Sequence, residues 1–435
     1  MRKSILLLFL TASLNVIFAQ ENESGPNSFQ KPADKDQRQV ENVNNLQLTV
    51  TNYGVVGARN AFWPQQFSAE YPRGTKIENL YQGGIYFAAI SRIRGRTGVS
   101  TGCSDRSSSG VIGTHYEYSS EPDAQILKRS TDPFSGYPTE GAVSDLDFVC
   151  EYTDQYTKDP VTGDTLPYHM PLGITVHQES YAWELGVANS FVILSYTFHN
   201  VGYRDPFTFQ TVKDTLDSVY VGLWNNFVVR NTNFVRPGQT GYFNVAAGYD
   251  SAKRLVYAFD FDGNNQGPPA NTYISMKLLG AQPFPNGVDS VLDLSTKTYF
   301  NAWTYRSSAG DNTFFSPVLE DDDPDQFKSR YSRMTHSIPA SKTATLRTAP
   351  TNSTLLMSTG PFVTMYPDDS LTVVFAIVAA RKDGQDHARF DKPEQRKSLY
   401  TNAEWAQKAY DGEDANGNNK LDVNEDFDGD NEITR

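Results

Sequence analysis

The chain has 435 residues, with 38 basic and 51 acidic side chains, so its formal net charge is −13. This acidity argues against a nucleic-acid-binding protein, because phosphate recognition needs clustered Lys and Arg. Aromatic residues make up 13% of the chain, which argues against disorder. Together with frequent Thr, Ser, Val, Gly and Pro, they favour short strands joined by polar turns.

Residues 1–19 have the pattern of a secretory signal peptide. Arg2 and Lys3 form a basic start, an apolar stretch begins at Ile5, and Ala19 is a suitable cleavage position. The apolar stretch is short and interrupted by polar residues, which disfavours a membrane span, although an uncleaved anchor is the alternative. We therefore expect a secreted or cell-surface protein with no transmembrane segment after signal removal.

Four further regions follow the signal, and the first two are a leader and a β-rich region. Residues 20–45 are polar and predict a flexible leader. Residues 46–390 predict a mainly β fold, an antiparallel β-sandwich built as one large unit or as two packed units. Turn residues separate strands expected at 46–50, 84–90, 111–118, 174–178, 191–199, 218–229, 242–247, 254–261, 273–279 and 371–380.

Helical periodicity is confined to the later part of the chain. Asp391 is a suitable N-cap, Pro393 fits the first turn, and Gly412 is a suitable stop signal. These signals predict a helix within residues 391–412 that packs on the sheets. A shorter helix is expected at 325–334.

Cys103 and Cys150 are the only two cysteines. In an exported protein, an even number of cysteines predicts a disulfide, here between these two residues. Two buried thiols are the alternative, because spacing alone does not show that the side chains meet.

The tail, residues 413–435, contains a predicted calcium-binding loop. Calcium prefers six to eight oxygen ligands, and a closing Glu can supply two of them. The predicted ligands are Asp414, Asn416, Asn418, Lys420 through its carbonyl, Asp422 and Glu425. The pattern resembles the EF-hand-type loops that are repeated in dockerin and thrombospondin-like tails. Asn419 stands where such loops usually have Gly, but Asn tolerates the left-handed backbone that the turn needs.

A second, truncated loop begins directly after the first. Its predicted ligands are Asp426, Asp428, Asp430, Glu432 through its carbonyl, and Thr434. The sequence ends before the closing position, so we expect this loop to bind weakly unless the natural polypeptide is longer. The alternative for the whole tail is a solvated acidic segment that only improves solubility.

No catalytic residues are predicted. The six histidines lack zinc-site spacing, and the sequence contains no nucleophile elbow, phosphate loop or dinucleotide fingerprint. The densest carboxylate group in the β region consists of Asp145, Asp147, Glu151 and Asp154. Asp145 and Asp147 have the spacing of a strand pair that could hydrolyse glycosides, but solvent-facing strand residues are the favoured interpretation.

Several segments resemble the N-terminal β-rich region of large secreted or surface proteins of Bacteroidota-type bacteria that use type IX secretion. They are residues 18–20, 196–202, 217–226 and 257–263, together with the acidic tail. The resemblance implies an exported β-rich module and attaches no catalytic role to it.

The sequence thus predicts a secreted or cell-surface, non-catalytic structural or adhesive module that Ca²⁺ stabilises. A secreted carbohydrate-binding or carbohydrate-hydrolysing protein is the alternative. The expected partners are extracellular polysaccharide or surface proteins, and no nucleic acid.

Overall fold

A computed structural model describes the chain at residues 29, 31, 36–58, 66–103, 116–121, 124–158, 163, 165–166, 169–184, 186–233, 245–261, 270–282, 297–304, 330–384 and 390–412. Strands account for 50% and helices for 11% of the described residues. The predicted mainly β class is therefore confirmed. The predicted signal peptide and calcium-binding tail lie outside the described residues.

The described strands, in chain order, are β1 (Arg38–Glu41), β2 (Gln47–Thr51), β3 (Val55–Val56), β4 (Ala69–Glu70), β5 (Ile77–Ser91), β6 (Arg96–Thr101), β7 (Ser119–Ser120), β8 (Leu127–Arg129), β9 (Leu146–Thr153), β10 (Ile174–Ala182), β11 (Phe191–Asn200), β12 (Tyr203–Arg204), β13 (Thr211–Val212), β14 (Leu216–Asn231), β15 (Val245–Asp250), β16 (Leu255–Asp260), β17 (Thr272–Gln282), β18 (Lys297–Thr304), β19 (Ser353–Met365) and β20 (Ser370–Arg381). The described helices are α1 (Arg330–Thr335), α2 (Ala340–Leu346) and α3 (Lys397–Asp411), and a 3₁₀ turn (Pro393–Arg396) precedes α3.

Two antiparallel nine-stranded sheets form the body of the fold. The first has the order β1-β2-β3-β5-β14-β19-β18, with β4 beside β2 and β5, and β6 beside β5. The second has the order β15-β16-β17-β20-β11-β10-β9-β7, with β8 beside β9. Each sheet takes strands from both the early and the late part of the chain.

The main hydrophobic core lies between the two sheets. The rings of Phe87 from the first sheet and Phe198 from the second are 5.0 Å apart. The Asn225 amide donates a hydrogen bond to Met276 Sδ at 3.1 Å, which also joins the sheets. In β10 the buried residues alternate with more exposed ones, as expected for a strand with one face in a core. This arrangement confirms the sandwich prediction.

A second core lies between the outer face of the second sheet and α3. Leu399, Ala403 and Ala406 recur at helical spacing and are buried there. The late helix is confirmed, but Asp391 does not cap it. Instead the carboxylate of Asp383 accepts hydrogen bonds from Ser398 N and Oγ in the first turn, both at 2.7 Å.

Among the described strands of six or more residues, β6, β9, β18 and β19 were not expected, and neither were several shorter strands. In β19 the dipeptide Gly360–Pro361 suggests a break, because Pro has no N–H to donate to a sheet. The structure places Gly360, with φ of +143°, where the register between β14 and β19 shifts. Pro361 also lies beyond Gly360, the last residue of β19 that pairs with β18. The N–H that Pro361 lacks therefore costs no hydrogen bond between these two strands.

The end of the predicted flexible leader is part of the sandwich. Arg38–Glu41 forms β1 and pairs with β2 over its whole length. Glu41 is buried although its side chain can carry a charge. The polar composition of residues 20–45 does not predict this burial. Of the strand expected at 111–118, only residues 116–118 are described, and they are not in a strand. Helix α1 overlaps the end of the helix expected at 325–334.

The predicted disulfide is wrong in this structure. Cys103 and Cys150 are both buried thiols and are not joined to each other. Cys103 follows β6 of the first sheet, whereas Cys150 lies in β9 of the second. The Cys150 thiol donates to the carbonyl oxygen of Thr51 at 3.6 Å, so both cysteines act as small core residues.

None of the helices in the described ranges combines the length and the apolar character that a membrane span requires.

Candidate functional site

A cleft of about 280 Å³ opens beside β1, an edge strand of the first sheet. Its other wall belongs to the second sheet and comes from β8, the start of β9 and the loop between them. The volume is near the lower end of the range of about 300–1,000 Å³ that is typical of small-molecule sites. The polar lining consists of Arg38, Gln39, Asn42, Lys128, Tyr137 and Asp145.

The β1 wall is held by contacts to both sheets. Arg38 Nε donates to the Tyr53 hydroxyl at 2.7 Å. Just before β1, the Gln37 side-chain oxygen accepts a hydrogen bond from Ile126 N at 3.0 Å, which ties this edge to the segment that leads into β8. The carbonyl of Asn42 accepts a bond from Arg73 at 2.7 Å. The wall is therefore fixed before any ligand binds.

The opposite wall includes the loop of residues 131–144, and its two ends are joined. Thr131 N donates to the carbonyl of Ser144 at 2.9 Å. The carboxylate of Asp147 accepts bonds from Val143 N at 2.7 Å and from Ser144 N at 2.9 Å. Because the loop closes on itself, Tyr137 is presented at the cleft with 40% of its surface exposed.

The cleft is locally positive although the chain is acidic. The Lys128 ammonium lies 5.5 Å from the ring centroids of both Tyr137 and Phe148, a cation–π arrangement. Arg38 supplies a second positive charge. Among the described residues that line the cleft, Asp145 is the only acidic one, and its carboxylate already accepts a bond from Glu184 N at 2.7 Å.

A buried acid beside the cleft does not cancel this charge. Glu41 is fully buried, and its Oε1 accepts a hydrogen bond from Ser180 at 2.6 Å. Burial raises the pKa of Glu41 well above its ordinary value, which favours the neutral form of the carboxyl group. Its other oxygen has no hydrogen-bond partner among the described residues.

The four candidate carboxylates are not arranged as a catalytic pair. Asp147 is buried, contrary to the expected solvent-facing position, and its oxygens hold the loop described above. Asp154 is also buried and accepts bonds from Leu172 N at 2.7 Å and Ile174 N at 2.8 Å. Glu151 alone is exposed. These contacts give Asp147 and Asp154 a role in holding the fold.

The described histidines are also separate from the cleft. His177 lies between two carboxylates, with Nδ1 3.2 Å from Glu151 and Nε2 3.4 Å from Glu179. Hydrogen bonding to Glu179 raises the pKa of His177. His169 is buried, with Nε2 2.7 Å from the carbonyl of Asp154, and burial lowers its pKa.

No described cluster of three or more His, Cys, Asp and Glu residues is arranged to hold a metal ion. The predicted calcium ligands all lie in residues 414–434, outside the described ranges. The calcium site therefore stays a prediction from the sequence.

Sequence reasoning missed the cleft because its residues come from distant segments. Arg38 lies at the end of the predicted leader, whereas Lys128 and Tyr137 lie in a stretch that carries no recognisable motif. The local turn signals of the loop, such as Pro133 and Gly136, mark a turn but do not indicate what the turn faces.

Fold and site together define the class: an antiparallel two-sheet β-sandwich protein with a small, positive, polar cleft at one edge. A scan against protein-family models finds no match, and a search of curated proteins finds no significant relative.

Proposed function

We propose that the chain is a secreted or cell-surface β-sandwich module with a non-catalytic, adhesive or structural role, and that calcium stabilises its tail. The supporting observation is that the buried carboxylates of Asp147 and Asp154 accept hydrogen bonds from backbone N–H groups of the fold. Glycoside hydrolysis uses two carboxyl groups about 5–9.5 Å apart that both reach the substrate. A buried Asp147 under a closed loop is poorly suited to that task.

The proposal of export rests on the signal-like residues 1–19 and on the resemblance to type IX secreted proteins. The proposal of calcium binding rests on the spacing of oxygen-bearing residues from Asp414 to Thr434. The adhesive role draws on the cleft, which offers charged and polar side chains on a prearranged surface.

Carbohydrate binding is the second candidate function, and one observation favours it. Tyr137 is a partly exposed aromatic ring beside side-chain amides in a polar cleft. Aromatic rings and hydrogen-bonding side chains together suit a ligand with one apolar face and many hydroxyl groups. This function is compatible with an adhesive module, since a surface polysaccharide would then be the adhesion partner.

A sedimentation assay tests the proposed function. The purified chain is incubated with insoluble polysaccharides and with intact cells of its native host, in calcium or in a chelator, and the bound fraction is measured. We expect retention on at least one surface and no release of soluble sugar or peptide. Product release that Asp145→Asn or Glu151→Gln abolishes would contradict the non-catalytic role, and no retention anywhere would contradict the adhesive one.

A further inference from the structure

We propose that the cleft between β1 and the 131–144 loop binds a sugar residue that carries a carboxylate, such as a uronic acid in an extracellular polysaccharide. The inference rests on the proposed adhesive function and names its ligand class. The charge, the size and the side chains of the cleft are the observations that support it.

The positive charge of Lys128 is available to an anionic partner. Within the described part of the chain, the Lys128 ammonium contacts the ring faces of Tyr137 and Phe148 and makes no ion pair. Glu41 is buried and does not line the cleft, and burial raises its pKa well above the ordinary value. A ligand carboxylate at the mouth of the cleft would gain a charge-assisted hydrogen bond from Lys128.

The rest of the lining fits a polyol. Gln39 and Asn42 carry amides that both donate and accept hydrogen bonds, as neighbouring sugar hydroxyls require. The ring of Tyr137 supplies an apolar surface for the C–H face of a sugar. With about 280 Å³ of space, the cleft suits one ring of a chain whose remaining residues extend into solvent.

Preorganisation lowers the cost of binding. The loop that carries Tyr137 is closed by the Thr131–Ser144 bond and by Asp147, and Arg38 is held against Tyr53. Since these side chains are already placed, a ligand loses less binding free energy to ordering the site.

Calorimetric titration of the full chain tests the inference. The probes are trisaccharides of galacturonate, glucuronate and mannuronate, the matched neutral trisaccharides, and triglutamate. We expect at least one uronate trisaccharide to bind roughly tenfold more tightly than its neutral counterpart and triglutamate. We also expect its affinity to fall in high salt, because screening weakens charge pairing at an accessible site.

Three variants assign the binding to the cleft. Lys128→Met keeps most of the side-chain stem and removes the charge, and Tyr137→Ala removes the ring; each should weaken uronate binding about tenfold. Lys253→Met is the matched control. Lys253 also lies over a tyrosine ring, 5.0 Å from the centroid of Tyr400, but follows β15 at the opposite edge of the second sheet. The Lys253→Met variant should bind the uronate trisaccharide with the affinity of the wild type.

The outcomes separate this inference from the proposed function. Equal binding of uronate and neutral sugars, or uronate binding that survives both cleft variants, would overturn the inference. Tighter binding of triglutamate would replace the sugar with an acidic peptide and also overturn it. If no probe binds while the chain still sediments with polysaccharide or cells, only the inference fails. If sedimentation also fails, the adhesive function fails with it.

Discussion

Buried carboxyl groups give single residues a large influence on stability. Glu78, in β5, is buried and accepts backbone hydrogen bonds from Ser68 at 3.0 Å, Ala69 at 2.6 Å and Asn79 at 3.1 Å. These bonds favour the charged form, yet burial outweighs them and raises the pKa of Glu78 to about 7. Burial therefore affects the pKa of Glu78 more than the backbone hydrogen bonds do.

We predict that the free energy of unfolding falls as the pH rises from the ordinary pKa of a glutamate to the raised pKa of Glu78. The pKa of Glu78 is raised from 4.5 to about 7 on folding, so the folded state binds more protons between these values. Its contribution is fully present below about 4.5 and is lost as the pH passes 7. The loss is about 3 kcal/mol in the free energy of unfolding for this one group.

Denaturant titrations between pH 4 and pH 8 measure this effect. Glu78→Gln removes the titration and should flatten the pH dependence, whatever the variant's absolute stability. Glu394→Gln is the control, because Glu394 is exposed and should leave the wild-type slope unchanged. A Glu78→Gln protein with the wild-type slope would refute the assignment.

We predict that reducing agents leave the melting temperature unchanged. Cys103 and Cys150 are buried thiols, and burial raises the pKa of Cys150, which keeps it as an unreactive thiol. Alkylation should therefore modify both cysteines only after unfolding, without prior reduction. Mass spectrometry checks this: a native protein two hydrogens lighter than its reduced form would show that a disulfide exists after all.

At the scale of elements, α3 is anchored through one buried acid that precedes it. The side chain of Asp391 is 4% exposed. Its oxygens accept hydrogen bonds from Tyr257 and Tyr273 of the second sheet, each at 2.9 Å, and from Arg347 Nε at 2.7 Å. Arg396 Nε lies 3.2 Å from the same carboxylate. One side chain thus joins the sheet, the segment after α2 and the 3₁₀ turn before α3.

We predict that Asp391→Asn destabilises the protein by about 3–5 kcal/mol, because it removes the buried negative charge that pairs with Arg347 and Arg396 and leaves only one acceptor oxygen for the surrounding donors. Urea unfolding measures the change. Glu404→Gln is the control: it removes an exposed pair with Lys253 at 3.2 Å and should cost at most about 1 kcal/mol. A loss below about 1 kcal/mol for Asp391→Asn would show that α3 is held by its apolar face alone.

At the scale of the whole molecule, we predict that calcium raises the thermal stability through the tail. Asp414, Asp422 and Glu425 place three carboxylates in the first loop, and these repel one another without an ion. Binding to the folded form stabilises it by mass action, by about 2.7 kcal/mol when free calcium is a hundred times the dissociation constant. We expect the double variant Asp414→Ala with Glu425→Ala to lose this response.

Calcium titration by calorimetry, with thermal unfolding in parallel, checks the prediction. Asp250→Ala is a matched control, because it removes a carboxylate at the end of β15, outside the tail. If the wild type and the double variant bind calcium equally, or if neither binds at millimolar concentration, the loop is only an acidic segment.

The elements with a clear local signal were predictable from the sequence. Strand-like segments bounded by turn residues identified β10 and β11, and helical spacing from Leu399 to Ala406 identified α3. Two turn glycines are a further case: Gly54 and Gly202 each end a segment with the pattern apolar-Thr-apolar-x-Asn-apolar-Gly, and both have positive φ, +76° and +82°. Such features depend on neighbours along the chain, so local sequence determines them.

Only the tertiary structure decided which segments meet. It placed Asp391 against Tyr257 and Arg347 instead of at a helix cap, and it kept Cys103 and Cys150 as separate thiols in different sheets. It also brought Arg38 to the same cleft as Lys128 and Tyr137. These contacts arise because antiparallel strands from distant parts of the chain pair and pack around a common core. Composition, charge and loop spacing are properties of the chain itself, whereas the burial and charge of a cleft depend on which edges of the sheets come together.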